Sequence, residues 1–128
     1  MIYLDTSVAL AHLLAEDRCP PPSLWEEEFI SSRLLQYEIH VRIHAYGLTR
    51  SHGEAVTALL DRVSLVEMVP PVLTRALDPF PSPVRTLDAL HLATAEFIRL
   101  QGEAVVIASY DDRLVTGAKA LGFQIAEV

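Results

Sequence analysis

Apolar residues arrive along this chain in short blocks, most of them closed by a polar or turn-forming residue. Ile2-Tyr3-Leu4 reads as a short strand that ends at Asp5, after which Thr6 or Ser7 can cap a helix running through Val8, Leu10, Ala11 and Leu14. Pro20, Pro21 and Pro22 break the chain at the surface. Phe29-Ile30 reads as a second strand, and Ser31 or Ser32 can cap the helix that follows. In that segment Tyr37, Ile39, Val41, Ile43 and Ala45 alternate with Glu38, His40, Arg42 and His44, a strand period. The same residues also carry a helical stripe through Leu35, Ile39, Ile43 and Tyr46, and length and flanking leucines favour the helix.

Further along, Glu54 to Val63 reads as a helix, Leu65 to Val69 as a strand and Val72 to Leu77 as a short helix. Pro79, Pro81 and Pro83 mark a turn-rich stretch. Thr86 then caps a long apolar helix from Leu87 to Leu100, stopped by Gly102 where a left-handed residue belongs. Ala104 to Ala108 is the clearest buried strand. A last helix shows Leu114, Ala118 and Leu121 on one face and stops at Gly122, leaving Phe123 to Val128 as a final strand. Strands alternating with helices predict an α/β fold, a central and mainly parallel sheet with helices on both faces. Ligands of such sheets bind beyond the carboxyl ends of the strands.

That rule singles out acids. Asp5 ends the first strand and Asp111 follows the strand at Ala104 to Ala108, so both belong on one rim of the sheet. Asp88 lies in the first turn of its helix, where the dipole favours an anion. Glu38, about two turns into its own helix, joins them if that helix crosses the rim. Taken singly each has a plain structural reading: a cap or turn for Asp5 and Asp111, a dipole partner for Asp88, a solvated helix position for Glu38. Together they ask for neutralisation, because two bare charges ~4 Å apart repel by roughly 4 kcal/mol at an effective dielectric of about 20. Magnesium takes hard oxygen ligands, keeps several waters and needs only one or two direct carboxylates. Such ions activate water and stabilise a leaving oxygen in phosphodiester cleavage.

Composition changes this picture little. The 128 residues suit one compact domain, expected to span 1–128, and 51% apolar content supplies a core without disulfides. The lone Cys19 cannot form an internal disulfide and suits a reducing cytoplasm. No signal peptide is visible, and no apolar run approaches the ~20 residues of a membrane span, so no membrane partner is expected. A net charge of −7 speaks against nucleic-acid binding through a generally basic surface, yet clustered carboxylates around cations also make a chain acidic. Nine of the ten basic residues are arginine, the side chain that forks onto phosphate, although a genome rich in G and C would produce the same bias.

At these residues the chain resembles the PIN-domain family, specifically its VapC ribonuclease toxins, over nearly its whole length. The resemblance is carried by IYLDTSVALAHLL (2–14), FISSRLLQYEI (29–39), RTLDALHLATA (85–95) and IASYDDRLVTGAKALGF (107–123). It implies a PIN fold and a metal-dependent endoribonuclease, the toxin of a toxin–antitoxin pair. The family's acidic quartet falls on Asp5, Glu38, Asp88 and Asp111, with Thr6 and Ser109 as bordering hydroxyls. Asp111 is chosen over Asp112 because it stands two residues after Ser109. The resemblance further implies Mg2+ or Mn2+ held by Asp5, Asp88 and Asp111, with Glu38 as ligand or orienting base. It also implies RNA as substrate, a small antitoxin covering the groove, and a homodimer.

Other features carry less. His40 and His44 are spaced to grip zinc but lack a third ligand nearby. His91 shares a helix face with Asp88 and reads as a packed or rim histidine. Arg85 and Arg113 flank the cleft and suit either substrate phosphate and antitoxin or surface salt bridges. Trp25 reads as packing in a helix groove or at an interface. A non-catalytic PIN-like binding module is the alternative function, which loss of an acid would signal; all four are present. A phosphate-receiving signalling domain would want adjacent acids after the first strand and a late lysine, whereas Asp5 stands alone and Lys119 is within a helix.

Overall fold

A computed structural model describes residues 1–128. In chain order the elements are β1 (Ile2–Leu4), α1 (Thr6–Leu13), a 3₁₀ turn (Pro22–Glu26), β2 (Phe29–Ser32), α2 (Leu34–Ala45) and α3 (Thr49–Asp61). They continue with β3 (Val63–Val66), α4 (Pro70–Leu77), α5 (Thr86–Leu100), β4 (Val106–Ala108), α6 (Asp112–Ala120) and β5 (Gln124–Ile125). The sheet runs β3-β2-β1-β4-β5 with every pair parallel. β1 is therefore central, and the chain, having built outward through β2 and β3, returns past it to add β4.

Alternate strand residues feed two cores, as the pleat demands. Ile2, Leu4, Phe29, Val63 and Ala108 pack with Val8, Ala9 and Leu13 of α1, Leu35, Ile39 and Ile43 of α2, and Val56 and Leu59 of α3. On the opposite face Tyr3, Ile30 and Ile107 pack with Leu92, Ala95 and Ile98 of α5 and Leu114 and Ala118 of α6. Helices thus cover both faces, as the alternation predicts. α5 and α6 approach closely at Gly117, where a Cβ would lie 2.8 Å from Leu92 Cδ1 and 3.2 Å from Val84 Cγ1. No helix is long and apolar enough to cross a membrane.

The ambiguous segment is the helix α2. Leu35, Ile39 and Ile43 are buried while Tyr37 and Val41 are exposed, a division only the helical period produces. Tyr46 does not extend the buried stripe; it lies past the helix end and is exposed. Gly102 takes the expected left-handed conformation, φ 95°. Several boundaries move. β3 pairs with β2 from Phe29↔Val63 to Ser32↔Val66, so it begins and ends earlier than its own apolar run indicates. Prolines at the start of α4 open that helix two residues before Val72, since their missing N–H groups cost nothing there. α3 begins at Thr49 and accommodates a half-buried Gly53 with nothing within 4 Å of where its Cβ would stand, and β4 and β5 are shorter than the spans Ala104 to Ala108 and Phe123 to Val128.

The helix caps also differ. Asp5, and not Thr6 or Ser7, caps α1 by accepting from the Ser7 N–H. Arg85 occupies the cap position of α5 and Thr86 is its first helical residue. At α2 Arg33 holds the cap position, though Ser32 Oγ accepts from the Leu34 N–H at 3.1 Å.

Candidate functional site

The carboxyl ends of β1 and β4 lie side by side at the point where the strand order reverses. The Asp5 N–H donates to the Ala108 carbonyl at 3.0 Å, tying the two ends together. Beyond this tie the side chains continue the link. Ser109 Oγ donates to Asp5 Oδ2 at 2.7 Å and accepts from the Asp111 N–H at 2.9 Å. Ser7 Oγ donates to the same Asp5 Oδ2 at 2.6 Å and accepts from the Tyr110 N–H at 2.9 Å. Asp111 caps α6, its Oδ1 accepting from the Arg113 and Leu114 N–H groups.

Glu38 reaches this rim from α2, about one turn into the helix and not two, because α2 already begins at Leu34. Its Oε1 accepts from Thr6 Oγ1 at 2.8 Å and meets His91 Nε2 at 2.6 Å. Asp88 Oδ2 accepts from the Arg85 N–H at 3.0 Å at the start of α5. Burial, reinforced by the charges of Asp111 and Asp5, pushes the Asp88 carboxyl above its ordinary pKa despite the Arg85 amide, so the three acids share one electrostatic neighbourhood. At His91 burial opposes the charged ring, but the Glu38 hydrogen bond and charge outweigh it and raise its pKa.

A cleft of about 380 Å³ opens here. Asp5, Thr6, Ser7, Glu38 and Asp111 form its acidic side, and Arg18, Arg42 and Tyr110 stand on its wall. The Arg18 guanidinium lies 4.2 Å from the Tyr110 ring centroid. Neither Arg18 nor Arg42 forms a salt bridge.

The four carboxylates share a pattern. Protein donors fall on one oxygen of each: Asp5 Oδ2, Glu38 Oε1, Asp88 Oδ2 and Asp111 Oδ1. The second oxygen of each accepts none. These free oxygens are not sealed, since the fully buried side-chain polar atoms without partners are Ser82 Oγ and Tyr110 OH. No three His, Cys, Asp or Glu side chains close directly around one point. Four solvent-reaching carboxylate oxygens on one rim nevertheless fit a hard divalent ion that keeps most of its waters and takes one or two carboxylates directly.

The rim thus holds Asp5, Glu38 and Asp111 at one cleft, with Thr6 and Ser109 bonded to two of them, while Asp88 stands just outside its wall. Arg113 is exposed beyond Asp111, and Arg85 lines a separate apolar groove with Leu73, Leu77 and Phe80; neither makes a salt bridge. His40 and His44 sit 5.9 Å apart, ring to ring, on the outer face of α2 without a third ligand. Trp25 packs between His12 and Phe29. Sequence reasoning passed over Tyr3, Ser7, Arg18, Arg42 and Tyr110. The available signals were that Ser7 stands two residues after a strand-ending acid and Arg42 one turn after Glu38.

A parallel α/β domain with carboxylates gathered at its topological switch point is a class defined by its acidic rim. The PIN domain model matches residues 2–119, and the chain belongs to the PIN-domain family. Its relatives include Ribonuclease VapC47 of Mycobacterium tuberculosis strain CDC 1551 / Oshkosh, 30% identical over 98% of this chain and 96% of that protein. Ribonuclease VapC46 of strain ATCC 25618 / H37Rv is 36% identical over 97% of this chain and 95% of its own length. Ribonuclease VapC35 of the same strain is 30% identical over 98% and 95%.

Proposed function

We propose that the chain, acting as one PIN domain over 1–128, is a Mg2+- or Mn2+-dependent endoribonuclease, the toxin of a toxin–antitoxin pair. The observation that carries this is the rim itself: Asp5, Glu38 and Asp111 at one cleft with Asp88 beside it, each with one oxygen fastened and one free. The kinship with VapC ribonucleases along almost the full chain supports the choice of RNA.

Asp5, Asp88 and Asp111 are the ion-holding residues in this reading, and Glu38 is a further ligand or the base that orients water. A divalent ion held there supplies an activated water and charge for the leaving oxygen. Ser109, Ser7 and Thr6 orient the acids by fixing one oxygen each of Asp5 and Glu38. Arg18 and Arg42, neither of them in a salt bridge, offer guanidinium forks to phosphates of the strand on either side of the cut. Tyr110 lies on the same wall, under the Arg18 guanidinium. Arg85 and Arg113 stand farther out, as accessory contacts to RNA or antitoxin.

A small antitoxin covers the acidic cleft in this account, and the protein works as a homodimer in the cytoplasm. The apolar groove between α4 and the start of α5, with Leu73 and Leu77 exposed, supports burial against a protein surface. The test is incubation of antitoxin-free protein with a defined RNA. Fragments form in magnesium or manganese, vanish in chelator and return when metal is restored, and their ends are linear phosphates and hydroxyls, as attack by water requires. Cutting that persists in chelator, or 2′,3′-cyclic phosphate ends, overturns the proposal.

A further inference from the structure

His91 lies on α5 one turn beyond Asp88 and is only 3% exposed. Both ring nitrogens are engaged. Nδ1 meets the Tyr3 hydroxyl at 2.7 Å, and Nε2 meets Glu38 Oε1 at 2.6 Å. Tyr3 is sealed in the core, its ring edge-on to the imidazole at 5.8 Å between centroids. Its oxygen also accepts the Ser32 N–H at 3.3 Å. An oxygen already accepting an amide proton has its own proton to give, and Nδ1 is the acceptor within reach. Nε2 then carries the ring proton and donates it to Glu38. The connection runs from β2 through β1 and α5 to α2, and it ends on a carboxylate of the cleft.

We propose that Tyr3 and His91 are positioning residues for Glu38. With Thr6 they lock Oε1, leaving Oε2 as the one oxygen Glu38 offers to a divalent ion or its water. This deepens the nuclease reading and rests on it. A glutamate side chain otherwise loses considerable rotamer freedom when it is fixed. Two donors on one oxygen settle that cost in the folded protein, before any ion binds. Partners that orient a ligand in this way typically account for 10–100-fold in metal affinity or activity. A buried tyrosine–histidine pair serving packing alone would affect stability and leave the ion's affinity untouched, and this difference makes the role measurable.

The experiment measures Mn2+ binding to RNA-free protein by the paramagnetic resonance signal of the free ion, alongside kcat and KM on a defined RNA. It compares wild type with His91→Leu, His91→Gln and Tyr3→Phe, with folding followed by circular dichroism. Folded His91→Leu is expected to bind manganese about 10–100-fold more weakly and to lose kcat to a similar degree. KM for RNA should hardly move, since the arginines are untouched. His91→Gln, whose amide can donate to Glu38, recovers most of the loss, and Tyr3→Phe shows a smaller loss in the same direction. A folded His91→Leu with wild-type manganese affinity and kcat overturns the proposal while leaving the nuclease reading intact. Should His91→Leu not fold, Tyr3→Phe decides, with weakened manganese binding supporting the role and unchanged binding overturning it. Wild type that neither binds manganese nor cuts RNA overturns both readings together.

Discussion

Ser109→Ala removes one oxygen from the place where β1 and β4 meet. That oxygen is 2.7 Å from Asp5 Oδ2 as donor and 2.9 Å from the Asp111 N–H as acceptor, in a residue only 4% exposed. A hydrogen bond to a charged acceptor contributes about 1.5–3 kcal/mol, and an amide stripped of its partner costs about 1 kcal/mol more. Asp5 Oδ2 keeps the Ser7 hydroxyl at 2.6 Å, which offsets part of the loss. The expected destabilisation is therefore about 2 kcal/mol, well within the roughly 5–15 kcal/mol of a domain this size, so the variant still folds. Urea denaturation monitored by circular dichroism reads this directly, as a lower midpoint at unchanged slope. Because Ser109 also links the two acids to each other, RNA cleavage should fall about 10–100-fold. Destabilisation under about 0.5 kcal/mol together with undiminished cleavage would refute the claim that this hydroxyl organises the rim.

Three further outcomes follow from the geometry. Asp88 has a raised folded-state pKa, so its contribution to stability is full below the ordinary carboxylate pKa and is lost as pH rises through the folded value. In metal-free buffer at neutral pH, Asp88→Asn should accordingly raise stability, seen as a higher melting point, while abolishing cleavage. Gly117→Ala drives a methyl to 2.8 Å from Leu92 Cδ1 and should cost about 1–2 kcal/mol in chemical denaturation. Arg18→Gln and Arg42→Gln should each weaken binding to single-stranded RNA and flatten the logarithmic salt dependence by about 0.7, the contribution of one phosphate contact. An unchanged slope would place the RNA elsewhere.

Much of this arrangement is legible in the sequence because a parallel sheet buries its strands on both faces. Ile2–Leu4 and Val106–Ala108 are unbroken apolar runs, and the polar residues that follow each, Asp5 directly and Asp111 three positions after Ala108, must stand on the rim. That placed Asp5 and Asp111. The period of α2 is ambiguous in isolation, and only the two cores decide that Leu35, Ile39 and Ile43 point inward together. Strand limits escaped because pairing sets them: β3 stops at Val66 since β2 stops at Ser32. Cap assignment escaped because Asp5 serves the helix and the cleft at once, which leaves Thr6 free to bond Glu38. The Tyr3–His91–Glu38 connection joins residues 88 and 53 positions apart, and no local pattern encodes it. The one hint is that His91 follows Asp88 at helical spacing.

The central claim is that the carboxylates of this rim cut RNA with a divalent ion. The measurement that tests it most directly compares wild type, Asp5→Asn and Asp88→Asn on the same RNA, each folded and antitoxin-free, with magnesium or manganese and with chelator. Wild type should cut only in the presence of the metal, and neither variant should cut. Equal cutting by all three, or none by any, would contradict it and leave a PIN domain that binds a protein partner without catalysis.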